Sequence, residues 1–424
     1  MGKVVGALLM NKKEQIAIIA VLVANLCFLL GDTVQRVVKT TLDVTDYCVS
    51  EWLINYQGGF VRRGLLGELI YQACAPFDLD PRFIIVPLCI VFAALFCFLT
   101  IKYFRKNHLC LWILPTSYVL FGADFIRKDY LMMLLVWGIL YMIPKIIAGR
   151  GNALVVILLS LFLLNVHEAS FFIFFPILAL YVLFGSPNKS SVWSRAAIIA
   201  APLVGMAITC AFKGGRECAE AVCHSWTFAY PETYATLTVE NAIGALTWET
   251  MTTIRMHLQY NFLDGPLFAY SGIIMRMVSI ALILFLMVQI AFIRHRERAD
   301  YMSNSAKFIK LALFQLLALS PMLVFLSCDY KRICFYWTTS CFISYFCLKD
   351  VRLCIPCPEA CRRFICVICR WLASPVKPVV PFLLLAFLSV PFIHNRYADY
   401  MSPVVMRVHW HLTHISEDIE RLTN

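Results

Sequence analysis

Residues 83 to 101 read FIIVPLCIVFAALFCFLTI, an apolar run without one charged side chain. A helix needs roughly 20 mainly apolar residues, each rising about 1.5 Å, to cross the hydrocarbon core of a bilayer. The run has this length and this composition. It therefore predicts a helix that crosses a membrane, and charged residues divide the rest of the chain into further runs of similar length.

The composition of the whole chain agrees with this prediction. Its 424 residues are 61% hydrophobic and only 15% charged, which excludes an ordinary soluble enzyme and a disordered chain. Cutting the sequence where charges interrupt the apolar runs gives about eleven spans. We predict an all-α polytopic membrane protein, with a single transmembrane bundle formed by residues 1–424. The predicted spans are approximately 15 to 31, 83 to 101, 109 to 123, 130 to 147, 153 to 166, 169 to 185, 196 to 212, 268 to 293, 309 to 327, 333 to 348 and 379 to 393.

The distribution of lysine and arginine predicts the orientation of the bundle. Lys3, Lys12 and Lys13 precede the first span, so the positive-inside rule assigns the N-terminus to the cytoplasm. Alternating spans then bring the other short basic loops to the same side, including the Cys-rich loop 349 to 378. The formal net charge of +11 therefore reports topology, and no nucleic-acid partner is predicted. One tilted span in place of two at 153 to 185 would invert everything downstream.

Ionisable side chains within apolar sequence fall on the opposite, outward face. On this face lie the first outer loop (32 to 82), a large loop (213 to 267) and three short tips between spans, at 124 to 129, 167 to 168 and 329 to 332. Such a group costs on the order of 2.5 to 3.5 kcal/mol at mid-bilayer, so it faces a wet cavity or a partner and is a functional candidate. Alternatively, these groups pair with each other or extend to the interface. The candidates in the tips are Asp124, Arg127, Lys128, Asp129, His167, Glu168, Asp329, Lys331 and Arg332.

The first outer loop contains WLINYQGGFVRRGLLGELIYQ, residues 52 to 72. Apolar residues in its second half recur at helical spacing, which predicts an amphipathic helix lying on the outer leaflet. Gly58 and Gly59 permit a close approach of the backbone to a ligand. The free N–H groups of the helix start, with Arg62 and Arg63, form a site suited to phosphate. The alternative is a simple Gly-Gly turn whose arginines contact lipid headgroups.

Candidate proton acceptors lie near this helix and at one tip. Asp43, Asp46 and Glu51 precede the helix, and such a carboxylate accepts a proton from an attacking hydroxyl if its geometry and pKa suit the task. His167 is either an acid, a base or a hydrogen-bond donor near neutral pH, or a buried structural histidine. Phe171 occupies the place of the second histidine of an H-E-x-x-H zinc motif. No metal or other cofactor is predicted.

The chain contains 18 cysteines, and the side of the membrane that each one faces decides which chemistry is open to it. In the outward loops an oxidising compartment permits disulfides, and Cys218 and Cys223 are predicted as a local pair. Five more lie in the cytoplasmic loop 349 to 378, where they fit a zinc site, lipidated thiols or an amphipathic segment on the inner membrane surface. These five are Cys354, Cys357, Cys361, Cys366 and Cys369.

The motifs GGFVRRGLLGEL, FIRKD, HE and DYKR together resemble those of polytopic membrane proteins of bacterial surface-polysaccharide synthesis. The resemblance is to GT-C-type glycosyltransferases that use lipid-phosphosugars and to O-antigen polymerases, and it covers the architecture of most of the chain. It implies a GT-C-like enzyme in the bacterial inner (plasma) membrane. The implied partners are membrane lipids and a polyprenyl-phosphate-linked sugar or oligosaccharide, which is transferred at the extracytoplasmic face.

The resemblance also implies an acidic residue in the first outer loop, which corresponds here to Asp46, although Asp43 and Asp46 do not form the paired acidic signature of the class. We expect Asp46 or Glu168 to accept the proton of the acceptor hydroxyl, and His167 is a third catalytic candidate. The alternatives are a flippase or transporter of lipid-linked glycans, a membrane acyltransferase that uses His167 as base, and a scaffold. The side chains expected to bind the substrate are Arg62, Arg63, Arg127, Lys128, Asp129, Asp329, Lys331 and Arg332.

Overall fold

The structure is a computed structural model, and it is mostly helical. It describes residues 16, 20, 47–114, 119–120, 126–230, 241–259, 273–326, 330–355, 358–377 and 379–381. The predicted spans at 15 to 31 and 379 to 393 therefore lie almost entirely outside the described residues.

The described residues form helices of very different lengths. Two π-helical segments, Met287–Ala291 and Met322–Leu326, continue two of them, and short 3-10 turns lie at Ala75–Phe77, Leu111–Ile113, Gly244–Thr247 and Ile293–His295. Two strands, β1 (Gly185–Ser186) and β2 (Arg352–Leu353), pair antiparallel. The helices are α1 (Tyr47–Leu53), α2 (Gly64–Cys74), α3 (Arg82–Lys106), α4 (Asp129–Ile147), α5 (Ala153–Val166), α6 (Ser170–Phe184), α7 (Val192–Ala211), α8 (Arg216–Ser225), α9 (Thr250–Leu258), α10 (Ile273–Leu286), α11 (Tyr301–Pro321), α12 (Tyr330–Leu348) and α13 (Glu359–Ala373).

Within the described residues, four helices are long and apolar enough to cross a membrane. They are Arg82–Lys106, Asp129–Ile147, Val192–Ala211 and the continuous helix Tyr301–Leu326. Such helices are compatible with a membrane protein of the predicted helical class, but the count of about eleven spans is not reached in this part of the chain. The predicted span at 109 to 123 instead starts with a single 3-10 turn. Shorter apolar helices are Ala153–Val166, Ser170–Phe184 and Ile280–Ala291.

The run from 153 to 185 forms two helices, so the alternative of one tilted span is wrong. The side chain of Asn152 caps the start of α5 by accepting a hydrogen bond from the Leu154 N–H at 2.9 Å, as is usual at helix N-termini. Helix α5 ends at Val166 because His167 adopts an extended backbone conformation. Helix α6 then starts at Ser170. His167 and Glu168 therefore lie in the turn between the two helices.

The basic loops meet at one end of the bundle. The Lys189 N–H donates to the Ile147 carbonyl at 2.7 Å, and the Cys354 N–H donates to the Phe184 carbonyl at 2.8 Å. The Lys349 ammonium donates to the Asn107 side chain at 2.6 Å. We call this the basic end; it comprises residues 105–108, 145–151, 185–195, 293–298 and 349–354. The turns that carry the predicted polar candidates lie at the opposite ends of the same helices.

Aromatic packing fixes the helices that carry those turns. Trp137 of α4 stacks on Phe346 of α12 with ring centroids 5.9 Å apart, and Phe96 of α3 contacts Phe335 of α12 at 6.2 Å. Such rings bury large apolar areas and prefer these geometries. Because α4 and α12 pack side by side, their N-terminal residues lie at the same end of the bundle.

Helix α2 lies within residues 32 to 82, and two glycines near it, Gly58 and Gly67, meet other segments of the chain. A Cβ atom on Gly58 would lie 2.7 Å from the Cys218 carbonyl oxygen, and one on Gly67 would lie 1.9 Å from the Ile54 carbonyl oxygen. Both glycines therefore allow segments of this chain to pack closely against each other. The position of α2 at a membrane interface remains a prediction.

The predicted disulfide is wrong. Cys218 and Cys223 both lie on α8 and are free thiols. Five positions along one helix turn the two side chains well apart, so their Cβ atoms cannot approach the roughly 4 Å that a disulfide requires. In the loop 349 to 378, Cys361, Cys366 and Cys369 lie on α13. Among the described residues, which leave out Cys357, no group of three or more metal-ligating side chains occurs.

Candidate functional site

Charged side chains from five parts of the chain meet at the end of the bundle opposite the basic end. Helix α1 contributes one carboxylate, and the segment before α2 contributes two arginines. The turn before α4, the turn between α5 and α6, and the start of α12 contribute the others. We call this group the charged cluster; its members are Glu51, Arg62, Arg63, Arg127, Lys128, Asp129, His167, Glu168, Arg332 and Tyr336.

The charged cluster unites most of the side chains that the sequence singled out. Nine of its ten members were candidates, with Glu51 among them as one of three possible proton acceptors before α2, and the structure brings all nine together. Lys331 lies on α12, but its side chain falls outside the described part. Asp46, Asp124 and Asp329 also lie outside the described residues, so their roles remain predictions. Arg62 and Arg63 precede α2, whose first residue is Gly64, and do not lie in its first turn as expected.

Glu168 holds both arginines that precede α2. The Nε of Arg63 donates to Oε2 of Glu168 at 2.7 Å, and its Nη2 donates to Oε1, which makes a two-point contact. Nη1 of Arg62 also donates to Oε1 at 3.3 Å. Burial raises the pKa of the Glu168 carboxyl, but the charges of Arg63 and Arg62 outweigh burial and hold it well below its usual range. Glu168 is therefore ionised and fixes the direction of both guanidinium groups.

Arg63 also organises the cluster through its backbone. Its φ of 63° lies in the left-handed region, which disfavours residues other than glycine. Its carbonyl accepts a hydrogen bond from the Lys128 ammonium at 3.3 Å. The same ammonium lies 5.7 Å from the centre of the Trp52 ring. Strain of this kind persists only where the surrounding contacts fix the backbone, and here those contacts come from Glu168 and Lys128.

Lys128 is fully buried. Burial lowers its pKa from about 10.5 to about 8, because the charged form loses its hydration, and nearby carboxylates only partly offset this loss. The turn that carries it is fixed by Trp52, whose indole N–H donates to the Ile126 carbonyl at 2.5 Å. The pKa of Lys128 therefore lies close to neutral pH, and the side chain loses its proton more easily than an exposed lysine.

Asp129 and Arg332 form the second two-point pair. The Nε of Arg332 donates to Oδ2 of Asp129 at 2.8 Å, and Nη2 donates to Oδ1 at 2.6 Å. The hydroxyl of Tyr336 donates to the same Oδ1 at 2.6 Å. Arg332 and Tyr336 are four positions apart on α12 and therefore share one face. Asp129 is the first residue of α4, where a helix N-terminus stabilises negative charge.

Glu51 lies at the centre of the cluster with no exposed surface. Its Oε1 is 3.2 Å from His167 Nε2, 3.6 Å from Arg332 Nη2 and 3.9 Å from Arg63 Nη1. Neither carboxylate oxygen accepts a hydrogen bond from a described residue. Burial raises the pKa of Glu51, but the charges of Arg332 and Arg63 outweigh burial and lower it well below its usual range. The ionised Glu51 carboxylate is therefore stabilised by the charges around it and by no hydrogen bond from a described residue.

The proton on His167 has a defined position. Its Nδ1 accepts a hydrogen bond from the Ala169 N–H at 3.1 Å, so this nitrogen carries no proton. Burial lowers the pKa of His167 well below 6.5, and the ring is neutral. A neutral imidazole carries one proton, which therefore sits on Nε2 and faces Glu51.

The described part of the cluster carries an excess of positive charge. It contains five cationic side chains, from four arginines and Lys128, against the three carboxylates of Glu51, Asp129 and Glu168. Arg62 is the most accessible of the paired cations, with 25% of its side chain exposed, against 14% for Arg63 and 12% for Arg332. Its Nε is buried without a partner among the described residues. The open side of the cluster is therefore suited to an anion.

Sequence reasoning gave Glu51 only as an alternative and missed Tyr336. Glu51 is the one charged residue of YCVSEWLIN, and an ionisable group in such apolar sequence is the signal that identified the three tips. Tyr336 follows Arg332 at helical spacing, which identifies it once Arg332 is chosen.

Comparisons with known proteins do not assign this chain to a family. No protein-family model, no curated protein and no solved structure matches it. The function is therefore inferred from the chemistry of the charged cluster.

Proposed function

We propose that this protein is a membrane-embedded glycosyltransferase or polysaccharide polymerase that uses a polyprenyl-phosphate-linked sugar as donor. One observation carries the proposal: four arginines and a lysine surround a buried carboxylate at one end of a bundle of apolar helices. A lipid-linked phosphate remains at the headgroup level of the bilayer. A cationic cluster at the end of apolar helices is the arrangement that such a substrate requires.

The arginines supply the phosphate site. Arg62 is the most accessible of the paired cations, and Arg63 lies directly beside it. Glu168 fixes both guanidinium groups in advance, which reduces the reorganisation needed as negative charge develops on the leaving phosphate. Lys128 and Arg332, which are less exposed than Arg62, add further positive charge to this site. In this arrangement Glu168 is a positioning residue, and its two oxygens are already occupied by arginine.

Transfer requires a proton acceptor. The hydroxyl oxygen of the acceptor bonds to the anomeric carbon of the donor sugar, the bond from that carbon to the phosphate oxygen breaks, and the hydroxyl proton moves to a carboxylate. Glu51 is freer for this role than Glu168, since its oxygens accept no hydrogen bond from a described residue. An anionic phosphate bound beside Arg63 and Arg332 would offset the charges that lower the pKa of Glu51 and so make it a stronger base. The Nε2 of His167 lies 3.2 Å from Oε1 of that carboxylate. Asp46 remains the candidate that the resemblance implies.

The rival functions have less support. An acyltransferase base at His167 needs a free nitrogen lone pair, but Nδ1 accepts from the Ala169 N–H and Nε2 carries the proton. A flippase or transporter needs charge along a pathway, whereas the charged cluster occupies one end of the bundle. These arguments favour group transfer at a fixed site.

Reconstitution tests the proposal. The purified protein in vesicles, given a polyprenyl-diphosphate-linked sugar and a glycan acceptor, should release the carrier and extend the acceptor. The double variant Arg62→Ala, Arg63→Ala should lose at least about tenfold of this rate, because it removes two phosphate ligands. Arg216→Ala is the matched control, since Arg216 has 83% of its side chain exposed and pairs only locally with Glu220. Movement of the carrier across the vesicle without a new glycosidic bond would overturn the proposal in favour of a flippase.

A further inference from the structure

Helix α13 presents three distinct faces. Ile365, Cys369 and Leu372 turn toward the protein, and the last two are buried. Phe364, Val367 and Trp371, at positions i, i+3 and i+7, form an apolar stripe that is 65%, 62% and 72% exposed. Such spacing places the three side chains on one side of the helix.

The remaining face of α13 is basic. Arg362 and Arg363 have 72% and 78% of their side chains exposed, and Arg370 is also exposed. Glu359 pairs with Arg362 and Arg363. Three arginines against one glutamate leave the helix with an excess of positive charge. An apolar stripe beside a basic face is the composition of helices that lie in the plane of a membrane surface.

A buried clamp fixes the C-terminal end of this helix. The side-chain amide of Gln289 donates to the carbonyls of Leu372 at 2.7 Å and Ser374 at 3.0 Å. Arg296 donates to the Val376 carbonyl at 2.7 Å and to the Gln289 side-chain oxygen at 2.6 Å. These contacts satisfy carbonyls that a helix end leaves open. The helix is therefore held in a set position, with its apolar stripe turned outward.

The position of α13 is at the boundary of a candidate span. It packs against α11, where the Cys369 thiol lies 3.9 Å from the Ala306 carbonyl, close to the start of that helix at Tyr301. Helix α11 belongs to the segment Tyr301–Leu326, which is long and apolar enough to cross a membrane. Residues beside the first turns of such a span lie near the headgroups, at the basic end of the bundle.

We propose that α13 lies in the plane of the bilayer and binds a surface of anionic phospholipid. Phe364, Val367 and Trp371 enter the upper acyl-chain region, while Arg362, Arg363 and Arg370 contact the phosphate headgroups. The exposed stripe argues for lipid as the occupant, because α13 packs beside the first turns of a candidate span, and the basic face argues for negative charge. This proposal concerns the basic end and does not depend on the function of the charged cluster.

Fluorescence quenching by brominated lipids tests this binding. The full chain is placed in vesicles of phosphatidylcholine that contain either brominated phosphatidylcholine or brominated phosphatidylglycerol. The signal of Trp371 is obtained as the difference between the protein and its Trp371→Phe variant. We expect brominated phosphatidylglycerol to quench this signal at a mole fraction at least tenfold lower, because three arginines against one glutamate attract the anionic headgroup.

Charge-removing variants complete the test. In Arg362→Gln, Arg363→Gln, Arg370→Gln the preference for phosphatidylglycerol should disappear, while quenching by either lipid remains. Arg216→Gln, which changes an exposed arginine of α8, should keep the preference. The proposal is overturned if brominated lipid leaves the Trp371 signal unchanged while aqueous iodide quenches it, or if the triple variant keeps the full preference.

Discussion

The Oε1 atom of Glu51 lies 3.2 Å from Nε2 of His167, and this pair joins helix α1 to the turn between α5 and α6. Neither residue has more than 7% of its side chain exposed. The neutral ring carries its proton on Nε2, because Nδ1 accepts from the Ala169 backbone. The pair thus combines a buried anion with a neutral donor, at the centre of the charged cluster.

Glu51→Gln should lower the transferase rate by about two orders of magnitude or more, because the amide cannot accept the hydroxyl proton. The rate is measured in vesicles with lipid-linked sugar donor. Glu220→Gln on α8 is the matched control, since Glu220 is 46% exposed and contacts Arg216 on its own helix. A rate close to that of the unchanged protein, from a variant that still folds, would contradict the role of Glu51 and favour Asp46.

Arg63→Lys should lower both the activity and the thermal midpoint of unfolding. A lysine ammonium cannot reproduce the two-point contact of Arg63 with Glu168, and it leaves part of a buried carboxylate without a donor. The expected loss is on the order of 3 kcal/mol of unfolding free energy, as for other broken buried ion pairs. Differential scanning in detergent measures it. Arg63→Gly separates the two effects of this residue, since glycine relieves the positive φ but removes the guanidinium, and we expect it to be the less stable variant.

Lys128→Met should change how stability depends on pH. The folded pKa of Lys128 is about 8, while an unfolded chain has the ordinary value near 10.4. Between these values the unfolded form binds more protons, so this side chain makes the free energy of unfolding increase as pH rises. The thermal midpoint of the unchanged protein should therefore rise, relative to that of Lys128→Met, between pH 8 and pH 10. Parallel curves for the two proteins would show that Lys128 titrates normally.

Gly67→Ala should destabilise the fold strongly. The new Cβ would meet the Ile54 carbonyl oxygen at 1.9 Å, and no rotamer change relieves a clash with backbone. We expect a loss of about 3 kcal/mol or more in unfolding free energy. Gly138→Ala in α4 is the control, because its Cβ would meet nothing closer than Leu159 Cδ1 at 3.8 Å. That change should be neutral or stabilise by up to about 1 kcal/mol. Equal midpoints for the two variants would refute the packing argument.

The positions of the apolar helices were largely predictable. Runs of apolar residues specified α3, α4, α5, α6 and α7 to within a few residues, because length and hydropathy suffice where lipid replaces tertiary contacts as the solvent of a helix. The same reasoning predicted a span from 109 to 123, but the described residues 109–114 and 119–120 of this segment contain a 3-10 turn and other turns. Its apolar side chains are equally compatible with a buried irregular segment, and composition alone does not separate the two.

The membership of the charged cluster was predictable, but its pairing was not. Ionisable groups in apolar sequence identified Arg127, Lys128, Asp129, His167, Glu168 and Arg332 because each is costly unless it meets a partner. Which partner it meets depends on the packing of distant helices. The contact of Glu168 with Arg63 and that of Asp129 with Arg332 are such cases. The centre of the cluster, Glu51, was named with Asp43 and Asp46 as a possible proton acceptor, but the resemblance favoured Asp46.

The short antiparallel pairing of Gly185 with Leu353 and of Ser186 with Arg352 ties together two loops that are far apart in the chain. With the hydrogen bond between Lys189 and Ile147 and the Gln289 clamp on α13, it cross-links the basic end. A pump that opens alternately to the two sides of a membrane must break such links in every cycle. Substrate entry and product exit are therefore expected to use one opening, on the side of Glu51, and we expect any hinge motion in that half of the molecule.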